Sequence, residues 1–273
     1  MLKENDMPQD DRPLLRVVAG VVLNGQGDYL LASRPEGKPY AGYWEFAGGK
    51  VEPQESELDA LKREFEEELG IHIHHATPWL TKIHMYEHAH VHLRFFRVKA
   101  GDWSGTLQAK EGQSWSWQKA GDFTVSPMLP ANGPVLAALA VPTELAGSAE
   151  TGFTGENRMG DYRVVPFAMW EPAHKHCLIG AEALKHYGRR PQVESLWVLV
   201  ENAEQFAGAP DADVVVWRSA CEESAERVLQ VLREGVGVPL VVLAEECLSE
   251  KYRSAWLEAG AHAVVNERQT GWA

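Results

Sequence analysis

Apolar and polar positions along the chain change rhythm twice. Leu15 to Leu23 is a β-branched, apolar run. Asn24-Gly25-Gln26-Gly27 supplies a turn signal and Tyr29 to Ser33 a second apolar run, so the segment predicts a hairpin. From Ser56 the period lengthens: at about 100° per residue, Leu58, Leu61, Phe65 and Leu69 fall on one stripe of a helix. Ser56 is its expected N-cap and Gly70 its stop. Met85 to Val98 reads as one strand, Gly112 to Gln118 as another and Asn132 to Leu139 as a short helix.

The second change follows Val141. Pro142 to Gly160 is rich in Gly, Thr, Ser and Glu and reads as a linker that few contacts should cross. Short apolar runs then alternate with helical stretches. The expected strands are Arg163 to Phe167, Ser195 to Val200, Asp213 to Trp217, Pro239 to Leu243 and Ala261 to Val265, and the expected helices are Glu222 to Glu234 and Ser249 to Ala259. Such alternation predicts βα units on a parallel sheet. The expected organisation is an α+β domain over residues 12–142, a linker over 143–160 and a smaller α/β domain with parallel strands over 161–273.

Composition narrows the functional classes. A formal net charge of -13 repels polyanions at long range, which argues against a nucleic-acid partner. A small phosphorylated substrate would need metal ions or a few placed Lys and Arg. No apolar run reaches membrane-spanning length, and Met1 to Pro13 is polar with no apolar signal core, so a cytoplasmic protein without a membrane partner is expected. Cys177, Cys221 and Cys247 are widely spaced and read as small buried hydrophobes.

The chemistry concentrates on the helix. Glu64, Glu67 and Glu68 stand at i, i+3 and i+4 and share a face beside the apolar stripe, while Glu66 points to the other side. Arg63, one turn before Glu67, can brace its carboxylate. Carboxylates crowded on one face need a counter-charge, and hard oxygen donors suit Mg²⁺ or Mn²⁺. Such ions could clamp a pyrophosphate and activate water while a carboxylate takes the proton. A solvated acidic face is the ordinary outcome of such a run taken alone.

The surroundings add more. Gly49, five residues, Glu55, seven residues and then Arg63-Glu64-Phe65-Glu66-Glu67-Glu68-Leu69-Gly70-Ile71 resembles the Nudix box throughout. Leu31-Ala32-Ser33-Arg34-Pro35, Tyr43-Trp44-Glu45-Phe46-Ala47-Gly48-Gly49-Lys50, Lys110-Glu111-Gly112-Gln113 and Pro130-Ala131-Asn132-Gly133-Pro134-Val135 resemble its MutT branch, over roughly the first half of the chain. The resemblance implies a mixed sheet sandwiched by helices. It also implies a Mg²⁺-dependent hydrolase (with Mn²⁺ as a substitute) that removes pyrophosphate from nucleoside triphosphates, typically oxidised purines such as 8-oxo-dGTP, in nucleotide-pool sanitation. Carried over by position, it makes Glu64, Glu67, Glu68, Glu111 and the Gly48 carbonyl metal ligands. Glu64 or Glu111 becomes the base and Arg63 a supporting catalytic residue. Arg34, Glu45, Phe46, Gly48, Lys50 and Asn132 become the substrate contacts: Phe46 lines the base pocket, Asn132 reads a base edge and Lys50 touches phosphate. On local sequence alone, Asn132 would equally serve as a helix N-cap.

Two departures bear on base choice. Ala47 replaces the proline usual before Gly-Gly, and Ala89 stands where the MutT pattern carries an arginine. The attached second domain, with its faint thiamine-phosphate-synthase likeness, motivates a second reading, another nucleoside diphosphate derivative or a thiamine-related pyrophosphate; a nucleotide-sensing module is a third. A homodimer is compatible with the sequence. His84, His88, His90 and His92 share strand parity with Tyr86 and predict a polar sheet face near the cleft. His174-Lys175-His176-Cys177 reads as a loop, and Trp103, Trp115 and Trp117 as packing residues. The last third of the chain faintly resembles a shortened thiamine-phosphate-synthase (TenI-like) barrel; an open doubly wound sheet is its alternative.

Overall fold

The computed structural model describes residues 14–86 and 89–267, so Met1 to Pro13 and His88 lie outside it. The first unit contains β1 (Leu14–Val22), β2 (Tyr29–Ser33), β3 (Trp44–Glu45), β4 (Gly48–Lys50), α1 (Glu57–Leu69), β5 (Ile71–Ile73), β6 (Thr77–Met85), β7 (His90–Val98), β8 (Trp103–Gly105), β9 (Trp115–Gln118) and α2 (Gly133–Leu139). Its main sheet runs β4-β1-β7-β6. β1 is parallel to β7 and antiparallel to β4, so the sheet is mixed, and β6 is an edge. The predicted hairpin does not form a ladder: β2 lies in a second sheet, β3-β2-β9, and the chain after β1 meets it only through a bridge between Leu23 and Tyr29.

Local chemistry explains α1. The Ser56 hydroxyl accepts from the Asp59 amide, and Gly70 takes a left-handed φ of 68° that returns its N–H to the Glu66 carbonyl. Ala60, Leu61, Phe65 and Leu69 are buried against the sheet. The bulk of Phe65 is accommodated because β1 offers Gly20 beneath it: a Cβ there would stand 2.6 Å from the ring.

The second unit contains β10 (Leu145–Ser148), β11 (Gly152–Asn157), β12 (Gly160–Pro166), β13 (His176–Gly180), α3 (Ala181–Tyr187), β14 (Ser195–Val200), α4 (Ala203–Ala207), β15 (Val214–Ser219), α5 (Glu222–Glu234), β16 (Leu240–Ala244), α6 (Glu246–Ala259) and β17 (Ala263–Asn266). Its eight strands lie in chain order, antiparallel from β10 to β12 and parallel from β12 to β17. Order without reversal makes the sheet singly wound, not doubly wound. β10 comes to lie beside β17. One face encloses Phe153, Trp197, Val216, Leu243 and Val265, and the other packs Val198, Trp217 and Val242 against α5 and α6. The unit is an eight-stranded mixed sheet with β10 and β17 as its end strands.

Four further expectations are revised. Residues 143–160 are not a linker; they form β10, β11 and the start of β12. Met85 to Val98 is not one strand, because β6 ends at Met85 and β7 begins at His90. His176 and Cys177 open β13 instead of lying in a loop. Of the cysteines only Cys177 is buried; Cys221 and Cys247 are exposed.

Contacts also cross between the units. Trp79 is buried, and its indole N–H donates to Nδ1 of His262 at 3.3 Å. Since Nδ1 accepts, Nε2 carries the hydrogen and donates to the Val141 carbonyl at 3.0 Å. Arg97 donates to the Ala261 carbonyl at 2.8 Å, and its guanidinium lies 5.3 Å from the centroid of the Trp79 ring. On the β6 edge the Thr81 amide donates to the Val236 carbonyl at 2.8 Å and the Lys82 ammonium to the Gly237 carbonyl. The loops that close α5 and α6 contribute glycines here. A Cβ at Gly235 would stand 2.2 Å from the Arg94 guanidinium, and one at Gly260 2.6 Å from the Pro78 carbonyl.

Candidate active site

The glutamate helix enters one wall of a cleft of about 860 Å³. β4 delivers Gly48 and Gly49 against β1 and α1, where neither position admits a side chain. At Gly48, with φ 154°, a Cβ would meet the Val18 carbonyl at 2.0 Å. At Gly49 it would lie 2.1 Å from the Glu64 carboxyl carbon. The Glu64 carboxylate thus packs directly on bare backbone.

Arg63 organises the face. It donates to both oxygens of Glu55 at 2.9 and 3.0 Å, to the Lys50 carbonyl at 3.0 Å, to Glu64 at 2.8 Å and to Glu67 at 3.3 Å. The expected brace on Glu67 is present, but the tighter holds are on Glu55 and Glu64. Bonding to Arg63 keeps the Glu55 carboxyl below the usual range. Glu67 is 63% exposed, whereas Glu68 is 17% exposed. Glu66 points away and faces His72.

Glu111 lies far along the chain yet reaches the same cleft. The Lys110 amide donates to the Glu68 carbonyl at 3.1 Å, and Gln113 donates to it at 2.8 Å while accepting from the Glu111 amide at 2.9 Å. Buried Gln113 therefore ties the Glu111 loop to the end of α1, a role the sequence reading missed. It also missed Lys38, whose ammonium lies 2.6 Å from Glu111 and 3.4 Å from Glu68. Burial drives the Glu68 carboxyl up to about 7; Lys38 opposes this, and the charges of Glu111 and Glu64 reinforce it.

Among the described residues no three acidic, His or Cys side chains yet close to metal-ligand distances, and Lys38 stands between two of the carboxylates. The donor set nevertheless fits a divalent ion: all its donors are hard oxygens, Glu64 is seated in a side-chain-free cradle, and Glu68 is short of positive charge.

The remaining predicted residues share the cleft. Arg34 donates to both oxygens of Glu45 at 2.7 and 2.8 Å and to the Pro39 carbonyl at 2.6 Å, so these two are paired with each other. Burial raises the Glu45 carboxyl in spite of Arg34. Phe46 is buried, edge-on to Phe95 at 5.9 Å, and Lys50 lies exposed on the rim. Asn132 does not cap α2; its amide reaches the Trp44 carbonyl at 3.4 Å. The expected histidine face divides. Register pairs His90 with Met85, His92 with Ile83 and His84 with Val91, so His84 faces opposite to His90 and His92.

The family profile of the NUDIX domain matches residues 13–139. A CTP pyrophosphohydrolase of Escherichia coli is 40% identical over 133 residues, 46% of this chain and 90% of that protein. The chain belongs to the Nudix family. It is a hydrolase of phosphoric anhydrides, and family members generally need a divalent metal and act on small nucleotides. An 8-oxo-dGTP diphosphatase of Proteus vulgaris is 36% identical over 37% of the chain and 89% of its own length. The solution structure of the Escherichia coli ORF135 protein shares 38% identity over 48% of this chain and 91% of that one, with a TM-score of 0.41. The family match ends with α2, so it lies in the first unit. No described helix is long and apolar enough to cross a membrane.

Proposed function

We propose that the chain is a Mg²⁺-dependent nucleoside triphosphate pyrophosphohydrolase, with Mn²⁺ as a substitute, that releases a nucleoside monophosphate and pyrophosphate. The observation that carries this reading is the single cleft shared by Glu64, Glu68 and Glu111 with Phe46, Leu93, Phe95 and Asn132. Metal held by the four glutamates and the Gly48 carbonyl would supply the positive charge that polarises the polyphosphate and activates water. The chain does the rest. Arg63 fixes Glu64, and Glu64 takes the proton of the attacking water, with Glu111 the alternative base. Lys50 meets phosphate at the rim, Phe46 packs the base, and the Asn132 amide reads the base edge.

For the substrate we assign oxidised purines such as 8-oxo-dGTP, a sanitation role. The CTP-cleaving relative favours a second reading, CTP itself. A panel of 8-oxo-dGTP, dGTP, CTP and dCTP with Mg²⁺, scored for pyrophosphate against phosphate release, decides between them. Fastest turnover of 8-oxo-dGTP with pyrophosphate released supports the first reading, and fastest turnover of CTP supports the second. Failure of every triphosphate with both Mg²⁺ and Mn²⁺ sinks the assignment. Asn132→Ala should lower the preference for 8-oxo-dGTP over dGTP by roughly tenfold, the worth of one good hydrogen bond. An unchanged ratio removes Asn132 from base reading.

A further inference from the structure

Lys38 belongs to none of the motifs that carry the family resemblance, yet it is the cation that bridges two of the proposed metal-binding carboxylates. Its ammonium lies 2.6 Å from Glu111 and 3.4 Å from Glu68. It rides on the loop between β2 and β3, within which Gly37 and Gly42 take left-handed φ angles of 85° and 80°. Its base is closed by the Arg34 amide on the Tyr43 carbonyl at 2.8 Å and the Gly42 amide on the Arg34 carbonyl at 2.9 Å, which holds Lys38 over the cleft. One firm tether is the bond from Arg34 to the carbonyl of Pro39, the residue next to Lys38.

We propose that Lys38 is a resident counter-ion that occupies the metal seat of the nucleotide-free enzyme and exchanges its carboxylates for the substrate's polyphosphate when metal enters. The proposal rests on reading the cleft as a metal-dependent triphosphate site. Electrostatics sets the direction of exchange. Glu64, Glu67, Glu68 and Glu111 gather four carboxyl groups, answered nearby by Arg63 and Lys38. A dication outcompetes a single ammonium for the same oxygens, and metal and ammonium repel at that distance. The displaced ammonium is a compact donor on a four-carbon stem, and the arriving phosphates are the new anions within its reach. Lys38 therefore weakens metal binding in the absence of nucleotide and strengthens nucleotide binding in the presence of metal. That coupling favours loading of both together.

The test titrates Mn²⁺ into the nucleotide-free full-length chain by calorimetry, for the parent, Lys38→Gln and Lys38→Arg. It then measures KM and kcat at saturating Mn²⁺ with 8-oxo-dGTP and CTP as probes. Removing a charge-assisted contact should tighten Mn²⁺ binding by about tenfold in Lys38→Gln and raise KM by about tenfold, with kcat within about twofold. Lys38→Arg, which keeps the charge, should stay near the parent in both assays. Parental Mn²⁺ affinity in Lys38→Gln, or an unmoved KM, overturns the exchange while leaving the hydrolase assignment intact. A parent chain that binds no Mn²⁺ overturns both.

Discussion

Two buried polar clusters in this molecule are built on opposite terms. In the cleft, Glu68 is enclosed beside Glu64 and Glu111, and burial pushes its carboxyl up to about 7, against which Lys38 is only a partial counterweight. At the seam between the units, His262 is wholly enclosed, and both ring nitrogens are matched by Trp79 and Val141. Burial, with Arg97 nearby, drives its pKa down to about 3, so it stays neutral. The first cluster is incomplete within the chain and the second is complete. A polar group that its own protein leaves short of partners points to a ligand, whereas one fully answered by its neighbours points to architecture.

Breaking the first cluster should give the largest effect. Glu64→Gln and Glu68→Gln each remove a carboxylate proposed to act on metal or water, and turnover should fall by roughly 10³-fold, as when a principal electrostatic contributor is deleted. Because burial disfavours the charged form of Glu68, Glu68→Gln should not lower the melting temperature of the metal-free protein. Near-parental kcat in both variants would remove the glutamates from the chemistry; a large drop in melting temperature would move Glu68 to the architectural side.

Breaking the second cluster should cost stability. Trp79→Ala empties a fully buried site and unpairs His262, a change of about 3–5 kcal/mol by the usual scale for large-to-small core substitutions. A chain cut at Pro142 loses the whole partner surface and should melt well below the intact protein or fail to stay folded, even though the family profile matches residues 13–139. Chemical denaturation of the three proteins checks the ranking, and a truncated chain as stable as the parent would show that the seam is incidental.

Acid should sharpen the contrast more gently. The folded pKa of His262 lies below its ordinary value near 6.5, so below that pH the unfolded chain takes up a proton that the folded chain refuses. Stability should be unaffected by His262 above 6.5 and fall as pH drops toward 3, by up to about 1.4 kcal/mol per pH unit for one site. His262→Gln should flatten this part of the profile in urea melts from pH 7 to 4. An identical slope in both proteins would show that His262 titrates normally.

Legibility followed the range of the interactions. α1 could be read from sequence because its cap, stripe and stop lie within fifteen or so residues, and helix geometry alone orients its glutamates. α5 was readable for the same reason, over Glu222–Glu234 as expected. β6 was missed because Thr77-Pro78-Trp79-Leu80 lacks alternation, and the register shifts between Pro78 and Thr81, where it meets the second unit. The presumed linker misled because Gly and Thr also suit short antiparallel strands. Gly147 and Gly152, at φ 140° and 79°, sit where a Cβ would strike backbone at about 2 Å. The histidine face dissolved because parity holds along one strand and fails across a turn. Lys38, Gln113 and the seam were illegible for one reason: their partners are set by loop closure and docking, 30 residues away for Lys38 and Glu68 and 183 for Trp79 and His262.

The edge position of β6 has a consequence for solubility. An outer strand displays amides and carbonyls that invite a second chain to add a strand, and small proteins guard against this. Here the guard is a covalently attached neighbour. Val236 takes the outward amide bond of Thr81 and Gly237 holds the Lys82 ammonium across the edge, while Ile83 and Met85, further along, remain exposed. Freed of that neighbour, the Nudix half would present a longer uncovered edge flanked by apolar side chains, the configuration from which intermolecular β-pairing and aggregation begin.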